Sequence, residues 1–432
     1  MLSKPIADHP LRFQLANELH ARPFPQLKAP CRAAYLAIKQ PSNAAKRDRS
    51  RDRAHLIALL DLFGTAHPAP GANHFSGALG NSYLKWEMHS EFVSYTLFAD
   101  GVAEMPFDGS AFLQFPKKWL AQAPGVVLSS VLIRMEEADF SQVSAKEIGQ
   151  KIRPWFVQES MAASFVVGGE AVVASDFRID PQGNVRFAII ANTGITPRRL
   201  GRIAQRLLEI ETYKSASMLA FPMARKVEAT LSRLEEELEN VFQRMSLDEM
   251  ADSDTLENLL RLSAEIENTA SSTAFRFGAA KAYSEIVSQR IAVLREERFE
   301  GWQLLSEFMM RRYDPAMRTC ISTQERLRDL STRAERAANL LRTRVDVYTA
   351  RQNNQVLARM DDRAELQLRL QETVEGLSVV AISYYAVSLL GYFLTPLAAP
   401  LGVDQYFIIA AITLPVVALV WWLAKRMRKN LK

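Results

Sequence analysis

Residues 376–403 read GLSVVAISYYAVSLLGYFLTPLAAPLGV and residues 405–424 read QYFIIAAITLPVVALVWWLA, parted only by the charge of Asp404. A helix needs about 20 apolar residues to cross roughly 30 Å of hydrocarbon, and both stretches meet that length. Lys425, Arg426, Arg428, Lys429 and Lys432 follow at once. Lys and Arg are retained on the cytoplasmic side of a membrane. The pattern therefore predicts a transmembrane helical hairpin over 376–424, a short external turn over 395–405 and a basic cytoplasmic tail over 425–432. Both chain ends are expected in the cytoplasm, and the lipid bilayer is the first partner implied.

Reading backwards from the hairpin, no proline occurs between Pro315 and Pro396, and Gly376 and Gly391 are the only glycines of that span. Leu366, Leu370, Val374 and Leu377 carry one apolar face into the first span. A single helix of some 80 residues, on the order of 120 Å at 1.5 Å per residue, is expected. Upstream, Val227, Leu231, Leu234, Leu238 and Val241 step by four and three, as do Leu327, Leu330, Ala334, Ala337 and Leu341. Such spacing predicts long antiparallel helices packed side by side, a coiled-coil stalk over 193–375. Asp254 and Glu257 form a capping-box pattern opening one of these helices, which is expected to run to about Tyr313. Asp314-Pro315 then restarts the chain as N-cap and first helical residue.

Residues 1–192 have a different grammar and predict a mixed α/β head. Strand signals lie at 82–98, 126–135, 170–179 and 185–191, and helix signals at 11–18, 55–63 and 144–157. Asp180-Pro181-Gln182-Gly183-Asn184 joins the last two strands as a hairpin turn. Gly168-Gly169 precedes a strand and is read as a turn, not a phosphate cradle. The fold class is α+β: a head, a long helical stalk and a membrane hairpin.

Composition agrees with that plan. An apolar content of 48% with 23% charged residues is globular, neither disordered nor polytopic. Met1 to Ala7 is too short for a signal peptide, and Asp8, His9 and Arg12 interrupt any apolar core. Cys31 and Cys320 have no metal-ligand spacing and read as reduced thiols. The run Lys46-Arg47-Asp48-Arg49-Ser50-Arg51-Asp52-Arg53 is readable as a headgroup or nucleic-acid patch, or as a solvated first helical turn; no nucleic-acid partner is expected.

Several constellations have chemical potential. Asn17, Glu18, His20 and Arg22, within Asn17-Glu18-Leu19-His20-Ala21-Arg22-Pro23-Phe24-Pro25, could form a charge-assisted network or simply a docked helix end. In Trp86-Glu87-Met88-His89-Ser90-Glu91-Phe92, period two on one strand would put Glu87, His89 and Glu91 on a common face. Two carboxylates about an imidazole would suit a divalent cation; the alternative is the polar side of a half-buried strand. On the first span Ala381, Tyr384, Ser388, Gly391 and Thr395 form a small, polar stripe, suited either to a narrow path or to close helix packing. Phosphate-binding glycine loops, dinucleotide fingerprints, nucleophile elbows and metalloprotease helices are missing from the sequence, so a non-enzymatic protein is expected.

His9-Pro10-Leu11-Arg12, the 17–25 block, Trp86-Glu87-x-His89-x-Glu91-Phe92 and Ser175-Asp176-Phe177-Arg178 resemble the blocks of a bacterial family of uncharacterised membrane-anchored proteins. Residues 205–211 and 375–385 resemble it too. The resemblance spans essentially the whole chain and implies membrane association in the bacterial inner membrane, with no activity to carry over. The plan of head, long helices, two spans and basic tail is similar to that of CorA-type magnesium channels, which implies a homo-oligomer with the first span lining a pore. That family ends its first span in Gly-Met-Asn, whereas here the region reads Ser388-Leu389-Leu390-Gly391-Tyr392-Phe393-Leu394-Thr395-Pro396. The expected function is an inner-membrane-anchored homo-oligomer whose cytoplasmic head binds a partner or ligand. The alternative is a CorA-like divalent-cation channel or ion-responsive gate.

Overall fold

The computed structural model describes residues 6–18, 24–247, 253–398 and 404–430. Its strands are β1 (Cys31–Lys39), β2 (His74–Leu79), β3 (Ser82–Met88), β4 (Phe92–Asp100), β5 (Val126–Ala138), β6 (Ala162–Val166), β7 (Ala171–Ile179), β8 (Val185–Asn192) and β9 (Glu297–Arg298). Its helices are α1 (Arg12–Glu18), α2 (Arg49–Leu62), α3 (Lys117–Leu120), α4 (Ala145–Ile152), α5 (Pro197–Met218), α6 (Ala220–Leu247), α7 (Ser253–Leu294), α8 (Leu305–Arg312), α9 (Asp314–Ala398) and α10 (Gln405–Asn430). The fold is α+β, with a mixed sheet towards the N-terminus, long helices after it and two apolar helices at the end. Two compact units divide the chain: Met1–Gln243 with Glu257–Arg336, and Arg244–Leu256 with Ala337–Lys432.

In the first unit the strands form one sheet in the order β2-β3-β4-β1-β5-β8-β7-β6-β9. Neighbours are antiparallel except β5 and β8, which run parallel. Alternation along the strands gives the sheet two apolar faces, and each is covered. On one face Leu200, Ile203, Ala204 and Leu207 of α5 meet Val131, Ile133, Phe187 and Ile189, with parts of α7, α8 and α9 completing the layer. On the other, Leu56, Leu59 and Leu60 of α2, with Phe115 and Trp119, cover Leu84, Trp86, Tyr95 and Leu97. Ile148 and Ile152 of α4 cover Ala174, Ala188 and Ile190 beside Phe299.

The 82–98 segment is a hairpin rather than one strand. His89, Ser90 and Glu91 leave the ladder, and His89 N–H donates to the Phe92 carbonyl at 2.9 Å. Gly168 and Gly169 do form a turn, joining β6 to β7 with φ of +69° and +80°, where a side chain would be strained. The helix expected to reach Tyr313 ends instead at Leu294. The chain turns back there to add β9 beside β6, because Phe299 has a fully buried place and Glu296 a structural task. The Glu296 carboxylate accepts from Ser164 Oγ (2.7 Å), Leu305 N (2.9 Å) and Ser306 N (2.9 Å), thereby capping α8.

The Ser175-Asp176-Phe177-Arg178 block builds a β-bulge, where the register of β7 on β8 shifts between Ser175 and Ile179. Phe177 takes φ +53°, held by Phe177 N donating to Ser175 Oγ at 3.0 Å. Asp176, 1% exposed, accepts from Arg178 N (3.1 Å), Val157 N (3.0 Å) and Arg186 Nη2 (3.0 Å). Its residue types are therefore explained by backbone geometry.

The 3–4 spacing of the long helices marks buried faces: Leu231, Leu234 and Leu238 of α6, Leu259, Leu262 and Ile266 of α7, and Leu327, Leu330 and Ala334 of α9. Arg326 bridges to Glu235 at 2.7 and 3.2 Å, and Arg261 to Glu237 at 2.9 Å. Such exposed pairs stabilise by well under about 1 kcal/mol each, so the apolar faces dominate.

In the second unit the two apolar segments lie in helices Asp314–Leu394 and Tyr406–Arg426, both long and apolar enough to cross a membrane. A Cβ on Gly391 would stand 3.4 Å from Ile409 Cγ1, which makes Gly391 a contact point between α9 and α10.

Candidate functional site

Strand alternation and one helix build a polar cleft. Lys85 and Glu87 point to one side of β3, and their ladder partners Thr96 and Ser94 point the same way from β4. Tyr35 continues this face on β1, opposite Thr96. On the other side of the same strands Leu84, Trp86, Tyr95 and Leu97 enter the α2 core. Gln205, Leu208, Glu209, Thr212 and Tyr213 of α5 face the polar side, leaving a narrow cleft of ≈ 30 Å³. A recess of ≈ 330 Å³ adjoins it, sharing His89, Phe92 and Tyr213 and adding Arg49, Asn73 and Tyr283. The recess has a volume that suits a small molecule, and the cleft extends from it as a narrow polar slot.

A hydrogen-bonded line of charge crosses the cleft. Lys85 Nζ lies 3.1 Å from Glu87 Oε2 and donates to Gln205 Oε1 at 2.7 Å. Gln205 Nε2 donates to Glu209 Oε1 at 2.8 Å, and Glu209 Oε2 pairs with Arg290 Nε on α7. Lys85 is only 6% exposed, so these contacts replace water that it lost on folding. The Tyr35 and Thr212 hydroxyls lie 2.8 Å apart at the back. Burial pushes the Tyr35 phenol well above its ordinary range, so the hydroxyl stays protonated and neutral.

The rim is the β3–β4 turn, held by buried ions. Arg47 donates to the carbonyls of His89 (2.9 Å), Ser90 (2.5 Å) and Phe92 (3.0 Å) and pairs with Asp52. Glu91, 2% exposed, takes Arg276 Nη2 and Tyr283 Oη (3.0 Å), with Lys39 Nζ at 3.4 Å. Burial alone would push the Glu91 carboxyl up, but Arg276, Tyr283 and Lys39 outweigh it and hold the carboxyl below its ordinary value. The Lys39 ammonium is pushed down by burial, which Glu91 only partly offsets. Tyr283 stacks on Tyr213 at 5.4 Å, and His89 stacks on Phe92 at 4.2 Å. The rim is thus an aromatic edge supported by neutralised charge.

The structure separates the three residues of the expected cation site. Glu87 points into the cleft beside Lys85, His89 lies on the turn against Phe92, and Glu91 is turned towards Arg276. Period two fails at the turn, and cations already occupy both carboxylates. Among the described residues no group of three or more His, Cys, Asp or Glu side chains is arranged to hold a metal ion. The side chains of Asn17, Glu18 and Thr395, with His20 and Arg22 entire, lie outside the described residues. Of the membrane stripe, Gly391 packs against Ile409, Ser388 is half-buried, and Ala381 and Tyr384 are exposed. The Arg-rich run of 46–53 is not one surface patch, because Arg47 and Asp52 are core residues.

Sequence reading missed Arg47, Gln205, Glu209, Tyr213, Arg276 and Tyr283. The first lay inside a run whose charges suggested solvent. Gln205 and Glu209 lie in the 205–211 stretch, which carries only a family resemblance, and Tyr213, Arg276 and Tyr283 sit on helices whose 3–4 pattern does not reveal polar partners on the sheet.

Among curated proteins none matches this chain. The solved structure described as "structure of the full-length CmaX protein" is similar at 12% identity, covering 69% of this chain and 89% of that chain. Its TM-score is 0.21, too low to establish a common fold. The family described as "Protein of unknown function (DUF3422)" matches residues 7–431, and the chain belongs to that family.

Proposed function

We propose that this chain is a membrane-anchored, non-enzymatic, self-associating protein whose cytoplasmic head binds a small ligand in the recess at the β3–β4 turn, with the ligand's polar end reaching into the cleft between the β3–β4 hairpin and α5. The observation that carries the reading is the recess of ≈ 330 Å³ with its aromatic edge, opening onto a polar sheet face roofed by α5. Its carboxylates are committed to Lys85, Arg276 and Arg290, which favours recognition over proton transfer. The same ion pairs tie the cleft to α7, so a ligand that rearranged Glu209 or Glu91 would act directly on a long helix.

Two apolar helices and the basic residues after the second support an inner-membrane location with both ends in the cytoplasm. Lys425 Nζ lies 4.9 Å from the Trp421 ring and Arg426 Cζ 5.2 Å from that of Trp422, a pairing suited to a membrane interface. Exposed Ala381 and Tyr384 offer a seam for a second copy, and the same exposure would suit a CorA-like cation path. Native mass spectrometry of the full chain in detergent tests the reading. An oligomer carrying a small molecule that Gln205→Leu releases is expected; a monomer, or a bound mass indifferent to Gln205→Leu, counts against it. Divalent-cation flux into proteoliposomes would instead favour the channel.

A further inference from the structure

A second feature lies beyond the cleft, on the outer side of α5. Arg198, Arg202 and Arg206 recur at intervals of four, which stacks them along one helix face. The end of α7 reaches the same place: Arg206 Nη1 donates to the Val293 carbonyl at 3.3 Å, and Arg290 pairs with Glu209. Arg295 follows directly after α7 with φ +52°. Arg202, Arg206, Arg290 and Arg295 thus converge about Glu209, with Arg198 one turn earlier on α5, and Glu209 is already shared with Gln205. Nearby Arg199 is a contrast, because it has a carboxylate of its own in Glu170. Among the described residues Arg198, Arg202 and Arg295 have no carboxylate partner.

Crowded guanidinium groups repel one another, and here the cost is visible. Burial, then the charges of Arg202 and Arg290, push the Arg206 guanidinium down, with Arg295 adding to them and Glu209 offsetting only part. Like charges at i,i+4 also weaken a helix. A surface keeps such a cluster at no net cost when an anion of several charges neutralises it. Guanidinium forks match phosphate oxygens in paired hydrogen bonds, and several forks in a row match a chain of phosphates better than a lone carboxylate.

We infer that the arginine cluster of α5 and the end of α7 is a binding site for a polyphosphate moiety, carried by a nucleoside polyphosphate or a condensed inorganic phosphate. The site goes beyond the cleft reading and does not depend on it: the two share the Glu209–Arg290 pair, but Arg198, Arg202, Arg206 and Arg295 lie outside the cleft lining. It needs no metal, and its affinity falls steeply with salt because the recognition is ionic and partly exposed.

Calorimetric titration of the full chain in neutral detergent with inorganic triphosphate tests this. Saturable binding is expected, weakened about tenfold or more in Arg202→Gln/Arg206→Gln and unchanged in Lys117→Gln/Lys118→Gln on the opposite face of the sheet. Adenosine triphosphate binding more tightly than inorganic triphosphate would support the same site with a nucleoside source. Triphosphate binding no tighter than sulfate at equal ionic strength overturns the proposal, as does a double variant that binds like the parent. Vesicles rich in phosphatidylglycerol binding through these arginines while triphosphate does not would also overturn it. Melting temperature provides a second readout that guards against misfolding. Without ligand Arg202→Gln should melt no lower than the parent, and it should lose the upward shift that triphosphate gives the parent.

Discussion

Arg47 Nε lies 2.7 Å from Asp52 Oδ2, and the two side chains are 1% and 2% exposed. The pair fixes the first turn of α2 to the β3–β4 turn, because the same guanidinium binds three carbonyls there. Arg47→Met would leave a buried carboxylate and three carbonyls without their donor. A loss of about 3–5 kcal/mol in unfolding free energy is expected. Denaturant titration followed by the fluorescence of buried Trp86 and Trp119 measures it, and a loss below about 1 kcal/mol would contradict the clamp. Arg47→Met/Asp52→Leu should recover part of the loss.

Gly201 allows the 24–27 segment to lie directly on α5. A Cβ at that position would stand 1.7 Å from the Pro25 carbonyl oxygen, which is backbone and cannot swing away. Gly201→Ala is expected to cost about 3 kcal/mol through overpacking. Gly278→Ala, in the interior of α7 with nothing within 4 Å, should instead raise stability by about 0.5–1 kcal/mol. Thermal melts of the two variants should move in opposite directions.

Two buried groups shape the acid side of the stability profile. His55 Nε2 donates to the Trp119 carbonyl (3.1 Å) and Nδ1 lies 2.9 Å from Tyr95 Oη, contacts that the neutral ring satisfies without a buried charge. Burial holds its pKa below the ordinary 6.5, partly offset by the Trp119 carbonyl and Asp52. The unfolded chain therefore binds a proton first, and the His55 contribution is complete above pH 6.5 and lost as pH falls below it. Glu91 is also depressed, relative to 4.5, so its contribution is complete above that value and lost on further acidification. Unfolding free energy against pH should show both steps, and His55→Gln should remove only the upper one.

Cys31 and Cys320 are 3% and 2% exposed, and burial pushes their thiols up to about 12 and about 11. A thiolate is the reacting species, so the native chain should resist iodoacetamide at pH 8. Both thiols should react once the chain is unfolded in denaturant. Rapid labelling of either in the native state, read by intact mass, would contradict the packing.

Much of the architecture was legible along the chain, because helices and long apolar segments are local features. The hydropathy of 376–424 and the leucine spacings of 231–238 and 327–334 need no partner to be recognised. The failures have physical causes as well. Period two made one strand of 82–98, yet the Arg47 clamp stabilises a turn at His89–Glu91 with no glycine or proline to announce it. The helix that Asp254 and Glu257 open is expected to run to about Tyr313, yet Glu296 and Phe299 draw the end of that segment back to the sheet edge. The separation of Glu87 from Glu91 followed from the missed turn.

Sequence alone determined the order of parts: a mixed head, long proline-poor helices, and two apolar stretches with a basic end. Those are properties of composition and period within a few turns of chain. Tertiary structure decided which charges meet. Glu91 finds Arg276 across 185 residues, and Lys85 finds Gln205 across 120. Such pairings depend on how strands and helices stack after their apolar faces are buried, and they gain strength because water has left. The cleft and the arginine cluster exist only at that level, where α5 lies over the sheet and α7 ends beside it.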